Sequence, residues 1–293
     1  MKRSILFLIM TSVLASIAGC TAADNGQLRL MDFVEQQMAL GPRTPGSDAH
    51  ARFITQTAAF LENAGWEVRC DSVKYRGKTV ENIEAVRGPE DAERWIVVGA
   101  HYDSRITADQ ESRESDRQQA VPAANDGASG AAVLLGLAQT LPELPETRVT
   151  LAFFDAEDQG KVMGWPDWCL GSALLAEEYG QLERKPDAVI VIDMIGDREL
   201  NIYREKNSDA ALNDTLFGIA GDLGLSKQFI NTVKYSMYDD HIPFLQQGIP
   251  AADLIDFDYP WWHTLEDTAD KLSEESLQAV YRVLYTYLTG SPK

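Results

Sequence analysis

The chain is short of basic residues. Lysine and arginine number 26 against 45 aspartates and glutamates, a formal net charge of -19 over 293 residues. No stretch gathers lysine and arginine into a stripe, which excludes nucleic acid as a partner. The acidic excess by itself asks for no more than a well-solvated surface. Cysteine is scarce too, with three residues. Beyond the first seventeen positions no segment is long and apolar enough to span a bilayer. No G-x-S-x-G elbow marks a serine nucleophile. Internal repeats and long low-complexity stretches are absent. Histidine occurs only at His50, His101, His241 and His263, so any imidazole chemistry has few places to reside.

The first residues read as an export signal rather than as part of a domain. Lys2 and Arg3 supply a positive start, and Ile5 to Ile17 is an apolar stretch too short for a comfortable permanent span. It ends Ile17-Ala18-Gly19-Cys20, an order similar to a bacterial lipobox. The expectation is a signal peptide over 1–19, lipidation of Cys20, and an anchor and polar linker over 20–27. Acyl chains on Cys20 supply more than one hydrophobic anchor, enough for stable attachment. The localisation expected is exported and periplasm-facing, and Thr21 after Cys20 points to the outer membrane. Cys70 and Cys169 could pair in that setting or stay buried thiols; spacing alone does not decide.

From residue 28 onward, helical and strand patterns alternate. Leu28 to Ala39 carries apolar residues at helical spacing and is broken by Gly41-Pro42-Arg43-Thr44-Pro45-Gly46-Ser47. Ser47 or Asp48 caps a second helix that runs to about Ala64. Trp66–Val73 and Thr79–Val86 alternate around an Arg76-Gly77 turn. Trp95–Ala100, Arg148–Phe154 and Ala188–Ile192 are continuous apolar runs, as strands buried on both faces require. Leu200–Tyr203 and Ile249–Ile255 read as further strands. Helices are expected over Gly127–Leu141, Leu170–Tyr179, Ala210–Leu223 and Leu272–Leu288, and a loop over Thr107–Val121. The pattern argues one α/β domain over 28–293, with a mixed, mostly parallel central sheet and helices on both faces. In such sheets a site lies beyond the carboxyl ends of the strands.

Chemistry-bearing residues fall at those ends. The first buried strand ends in Gly99-Ala100-His101-Tyr102-Asp103-Ser104. Asn125-Asp126-Gly127 introduces the next helix. The second strand ends in Asp155-Ala156-Glu157-Asp158, and the third in Asp193-Met194-Ile195-Gly196. Late in the chain come Asp239-Asp240-His241-Ile242-Pro243-Phe244 and Trp262-His263-Thr264. An ionised acid at the end of an apolar strand is costly unless paired or metal-bound. Catalytic zinc takes three imidazole or carboxylate ligands and keeps one position open. Asp126, Asp158 and His263 could supply that set, with Glu157 beside it as general acid/base. Singly, each piece has a plainer explanation: Asp126 could merely cap its helix, and a lone histidine is more often structural.

Taken together, the order GAHYDS, NDGASG, DAED, DMIG, DDHIPF and WHT resembles the zinc aminopeptidase and glutaminyl cyclase superfamily, bacterial glutaminyl cyclases above all. The resemblance implies that fold and a zinc held by Asp126, Asp158 and His263. It implies Glu157 as acid/base, with Asp239 and Asp193 in its hydrogen-bond network. His101 and Asp193 would bind a second zinc in a two-metal aminopeptidase; in cyclases they line the site. One zinc per chain is therefore expected for a cyclase and two for the peptidase alternative. Asp239, where aminopeptidase relatives usually carry serine, points to the cyclase, as do GPRTPGS and DAEDQG. The activity implied is cyclisation of N-terminal glutamine to pyroglutamate with release of ammonia. The alternative is hydrolysis of N-terminal residues from peptides. Peptide or protein N-termini are the expected partners, membrane contact is through the lipid anchor alone, and the chain is expected to act as a monomer. Trp262, Trp165 and Trp168 are candidates for the pocket wall, alongside His101, and Trp262 leads by its place next to His263.

Overall fold

The computed structural model describes residues 28–291. The expected signal peptide, Cys20 and the expected linker to Gln27 lie outside the described residues.

In chain order the elements begin with α1 (Leu30–Met38), α2 (Asp48–Asn63), β1 (Glu67–Tyr75) and β2 (Lys78–Arg87). Ser47 caps α2 by accepting from the His50 N–H. Arg76 and Gly77 both adopt positive φ, 45° and 83°. That pair suits a two-residue turn whose twist matches the flanking strands. Next come β3 (Arg94–His101), α3 (Ala128–Thr140), β4 (Thr147–Phe154), α4 (Leu170–Gly180) and β5 (Ala188–Asp193). The chain ends through β6 (Ile202–Glu205), α5 (Ala210–Asp222), β7 (Phe229–Tyr235), α6 (His241–Gln246), β8 (Ala251–Ile255) and α7 (Glu274–Thr289).

Six strands form the central sheet in the order β1-β2-β4-β3-β5-β8. β4, β3, β5 and β8 run parallel, and the β1–β2 hairpin adds an antiparallel edge. The central strands are apolar throughout because both faces are covered. On β3, Ile96, Val98 and Ala100 pack with α1, α2, α3, α5 and α7 on one side. Trp95 and Val97 pack with α4 and α6 on the other. Each such aliphatic side chain taken fully from water contributes about 1.5–3 kcal/mol.

β3 is the point where the winding reverses. α3 leads from β3 to β4 on one side, and α4 then carries the chain across to β5 on the other. The crevice beyond the carboxyl ends of β3, β4 and β5 is where such folds bind ligands.

The expected single α/β domain is present. Two elements were not anticipated. β7 pairs only with β6, in a separate two-stranded sheet, so the strand expected at Leu200–Tyr203 does not extend the central one. α6 has six residues and carries Pro243 in its first turn, where a missing N–H costs nothing.

Candidate active site

The strand ends deliver their side chains to one place. β3 ends at His101, and the loop after it returns through Asn125-Asp126-Gly127 to start α3. Gly127 is obligatory there: its φ is 107°, and a Cβ would come within 3.0 Å of the Asp103 carbonyl and 3.2 Å of the His101 ring. Inside α3, a Cβ on Gly130 would meet the Ile192 carbonyl at 2.7 Å, so glycine lets α3 close on β5. Ala123, Ala156, Cys169, Met194 and His263 all hold positive φ. Strain of this kind persists where the surrounding structure over-determines a functional geometry.

Asp126, Asp158 and His263 converge. Each offers one ligand atom within 4.8 Å of the others. His263 Nε2 lies 2.9 Å from Asp158 Oδ1 and 3.6 Å from Asp126 Oδ2. All three residues are buried, yet Asp126 Oδ2 and Asp158 Oδ2 have no hydrogen-bond partner. Two buried carboxylate oxygens without a partner, one on each aspartate beside the imidazole, are costly unless a cation takes them. The donor set, two carboxylates and an imidazole, is one zinc accepts. On the far side of Asp126, its Oδ1 lies 3.1 Å from His101 Nε2, which is 3.2 Å from Asp193 Oδ1. His101, Asp126 and Asp193 thus form a second trio of ligand type.

Burial, and after it the crowding of acids, shifts the titration of these groups. Burial pushes Glu157 well above the usual carboxylate range; His101 opposes this, and the charges of Asp158, Asp239 and Asp240 add to it. Burial and the Asp126 charge push Asp158 up to about 6. Asp193 rises to about 7, first through burial, against the pull of His101. For His263, burial opposes the charge, but Asp158, Asp109 and Asp126 outweigh it and hold the ring up to about 9. Packed this closely, the acids raise one another's affinity for a proton, and burial adds to the effect.

A cavity of about 190 Å³ opens onto Asp126, Glu157, Asp158, Asp193, Asp239 and His263, with Trp168, Met237, Tyr238, Ile255, Phe257 and Trp262 among its apolar walls. Trp262 stacks on His263 at 3.8 Å between ring centres, and Trp168 at 6.0 Å. Two expected wall residues are elsewhere. Trp165 packs with Val80, Ala156 and Leu170 under the Lys78 ammonium. His101 is 2% exposed and sits behind Asp126 and Asp193 instead of lining the cavity. Cys70 and Cys169 are unpaired, the first exposed and the second buried.

Supporting residues escaped the sequence reading. Asp103 accepts from the N–H groups of Glu157 and Asp158 at 3.0 and 3.3 Å, fixing the acidic pair. Asp267 accepts from the N–H groups of Asn125 and Asp126 and from the Tyr259 hydroxyl. Arg105 donates to the Asp158 carbonyl at 2.8 Å and to Asp109. Asp109 Oδ1 lies 3.0 Å from His263 Nδ1. Burial opposes its charge, but His263 and Arg105 hold it far below the usual range. An ionised Asp109 only accepts, so Nδ1 carries the proton and Nε2 is left for a metal. Asp109→Asn is therefore expected to weaken metal binding about 10–100-fold, measured by competition with a chromogenic chelator.

Residues 82–288 match the family model described as Peptidase family M28. The chain belongs to that family. Among M28-type relatives, a glutaminyl-peptide cyclotransferase of Boiga irregularis is 28% identical over 286 residues, covering 84% of this chain and 76% of the relative. The crystal structure of Tannerella forsythia glutaminyl cyclase is 30% identical with a TM-score of 0.80, covering 90% of this chain and 98% of that one. A leucine aminopeptidase precursor from Bacteroides thetaiotaomicron matches at 26% identity and a TM-score of 0.82, covering 90% and 96%. The M28 fold therefore carries both chemistries, and the choice falls to the site.

Proposed function

We propose that this M28-family chain is a glutaminyl-peptide cyclotransferase, converting N-terminal glutamine of peptides and proteins to pyroglutamate with release of ammonia. The observation that carries the reading is Asp239: it lies within 4.8 Å of both Glu157 and Cys169 and faces the same cavity as the Asp126, Asp158 and His263 trio. The cyclotransferase and cyclase names of the relatives support it.

Asp126, Asp158 and His263 would hold zinc. When bound there, zinc supplies Lewis acidity toward the substrate's γ-carbonyl oxygen. The substrate provides its own nucleophile: the α-amine nitrogen bonds to the γ-carbon, and the bond from that carbon to the side-chain nitrogen breaks. Glu157 takes a proton from the α-amine and returns it to the departing nitrogen, which leaves as ammonia. Its raised pKa suits both halves of that exchange. Asp239, with Asp193 nearby, keeps an acid network around Glu157. Trp168, Phe257 and Trp262 wall the reacting groups, and the tethered amine, held beside the carbonyl, attacks ahead of a free water.

One zinc per chain is part of the proposal. It rests on the resemblance to cyclases, in which the positions of His101 and Asp193 line the site without binding a second metal; two zinc ions per chain by metal analysis would overturn it. The attachment to a bacterial outer membrane through Cys20 also belongs to the proposal, and rests on the order of residues around Gly19 and Cys20 alone. The deciding assay offers a peptide with N-terminal glutamine and follows ammonia against free amino acid. Ammonia with a pyroglutamyl product is expected; free amino acid alone would favour the two-zinc peptidase and end the cyclase reading.

A further inference from the structure

α4 begins one residue after Cys169, and Cys169 breaks the habit of that position. A residue in front of a helix usually takes an extended backbone and turns a side-chain oxygen onto the first free N–H groups. Cys169 instead holds φ 56° and ψ 38°, and its side chain caps nothing. That left-handed conformation is strained for any residue with a Cβ. The side chain is 0% exposed. Its Sγ is 3.4 Å from Glu157 Oε1, and its backbone N–H donates to the Glu157 carbonyl at 2.9 Å. Residue 157 is therefore gripped twice by residue 169, through backbone and through side chain.

Burial, with the charges of Glu157, Asp240 and Asp239 adding to it, holds the thiol well above its usual range. The group stays S–H and can donate. An ammonium in its place would bind the carboxylate more firmly and favour its charged form. A thiol is a weak donor, so it can aim a carboxylate while leaving its basicity to the surroundings.

We propose that Cys169 is the positioning residue for Glu157: its S–H fixes Oε1, so that Oε2 is the oxygen presented to the substrate's amine. The backbone strain at Cys169 is what aims the sulfur. This rests on the cyclase reading of the site.

The test compares wild type, Cys169→Ala and Cys169→Ser in ammonia release from a glutaminyl peptide, with kcat and KM resolved separately. Zinc content and melting temperature confirm that each variant is folded and loaded. Cys169→Gly, which the left-handed backbone suits, replaces the alanine variant if that one unfolds. The donor-less variant is expected to lose about 10-fold in kcat, within the range a small misplacement of a catalytic group produces. Its KM stays near the wild-type value, and serine restores most of the loss. Wild-type kcat in the alanine or glycine variant would overturn the proposal. So would a serine variant as slow as alanine with zinc and melting temperature intact, since that marks packing rather than donation. A wild-type protein that releases no ammonia removes the cyclase reading itself, and the proposal with it; an active wild type with active donor-less variants removes the proposal alone.

Discussion

In the Glu157→Gln variant, kcat for ammonia release falls by a factor of about 10²–10⁴ while zinc stays bound. Glu157 is not one of the converging ligand trio, so the substitution leaves the donors in place. Its N–H is tied to Asp103, so altered chemistry, not a shifted backbone, is what the variant reports. Glutamine is nearly isosteric but cannot take a proton from the α-amine. The pH profile adds a second reading with a definite sign. The base must be ionised in the free enzyme, and burial has raised its pKa. In the wild type kcat/KM therefore climbs with pH through that raised value; in the variant only the limb of the substrate's own α-amine, at about 7.7–8, remains. A variant with wild-type kcat and an unaltered acidic limb would strip Glu157 of its role.

Much of the fold was legible because the central strands have no choice of face. β3, β4 and β5 are covered by helices on both sides, so every position must be apolar, and runs such as Trp95–Ala100 announce themselves. The β1–β2 hairpin was legible from the Arg76-Gly77 pair. β7 was not: most of its side chains are exposed, Val233 at 56%, so no alternation marks it. What makes it a strand is its partner β6, a contact between distant segments. α6 was hidden by its length and by Pro243.

At the site, the convergence of Asp126, Asp158 and His263 was foreseeable because acids beyond the ends of apolar strands demand a reason and the order of motifs resembles a zinc enzyme superfamily. His263 was legible through its aromatic neighbour and the scarcity of histidine. Trp165 and Trp168 could not be separated by sequence, since they stand three residues apart in a turn-rich segment with no period. The fold sends Trp168 to the cavity and leaves Trp165 on the Val80 side. His101 belongs to the right motif, but only the three-dimensional arrangement shows that Asp126 and Asp193 cover it. Asp109 left no signal at all: it lies in a loop without periodicity and meets His263 across 154 positions of chain. Arg43 gives GPRTPGS its structural sense. It is 0% exposed and donates to the carbonyls of Tyr102 and Ala123, bracing the loop that leads to Asp126.

Zinc raises the melting temperature of the wild-type protein and leaves that of an Asp126→Ala variant unmoved. A ligand that binds only the folded state stabilises by about 4 kcal/mol when its free concentration is 1,000 times Kd. For a chain of this size that is a rise of roughly 8–16 °C. Asp126 decides the matter because its Oδ2 is a buried carboxylate oxygen without a partner, and it is the residue common to the two histidine-containing ligand trios. The size of the rise depends on pH with a sign fixed by His263. Without metal its ring titrates at about 9, raised from 6.5. The stability that its proton lends the metal-free protein is complete below about 6.5 and lost as pH rises through about 9. Zinc must displace that proton from the same nitrogen, so its affinity increases across this window. The zinc-induced rise, followed by calorimetry at fixed free zinc, is thus larger at pH 8.5 than at pH 6.5. An equal rise in the Asp126→Ala variant would mean that the ion is held elsewhere, and the assignment of Asp126, Asp158 and His263 would fall.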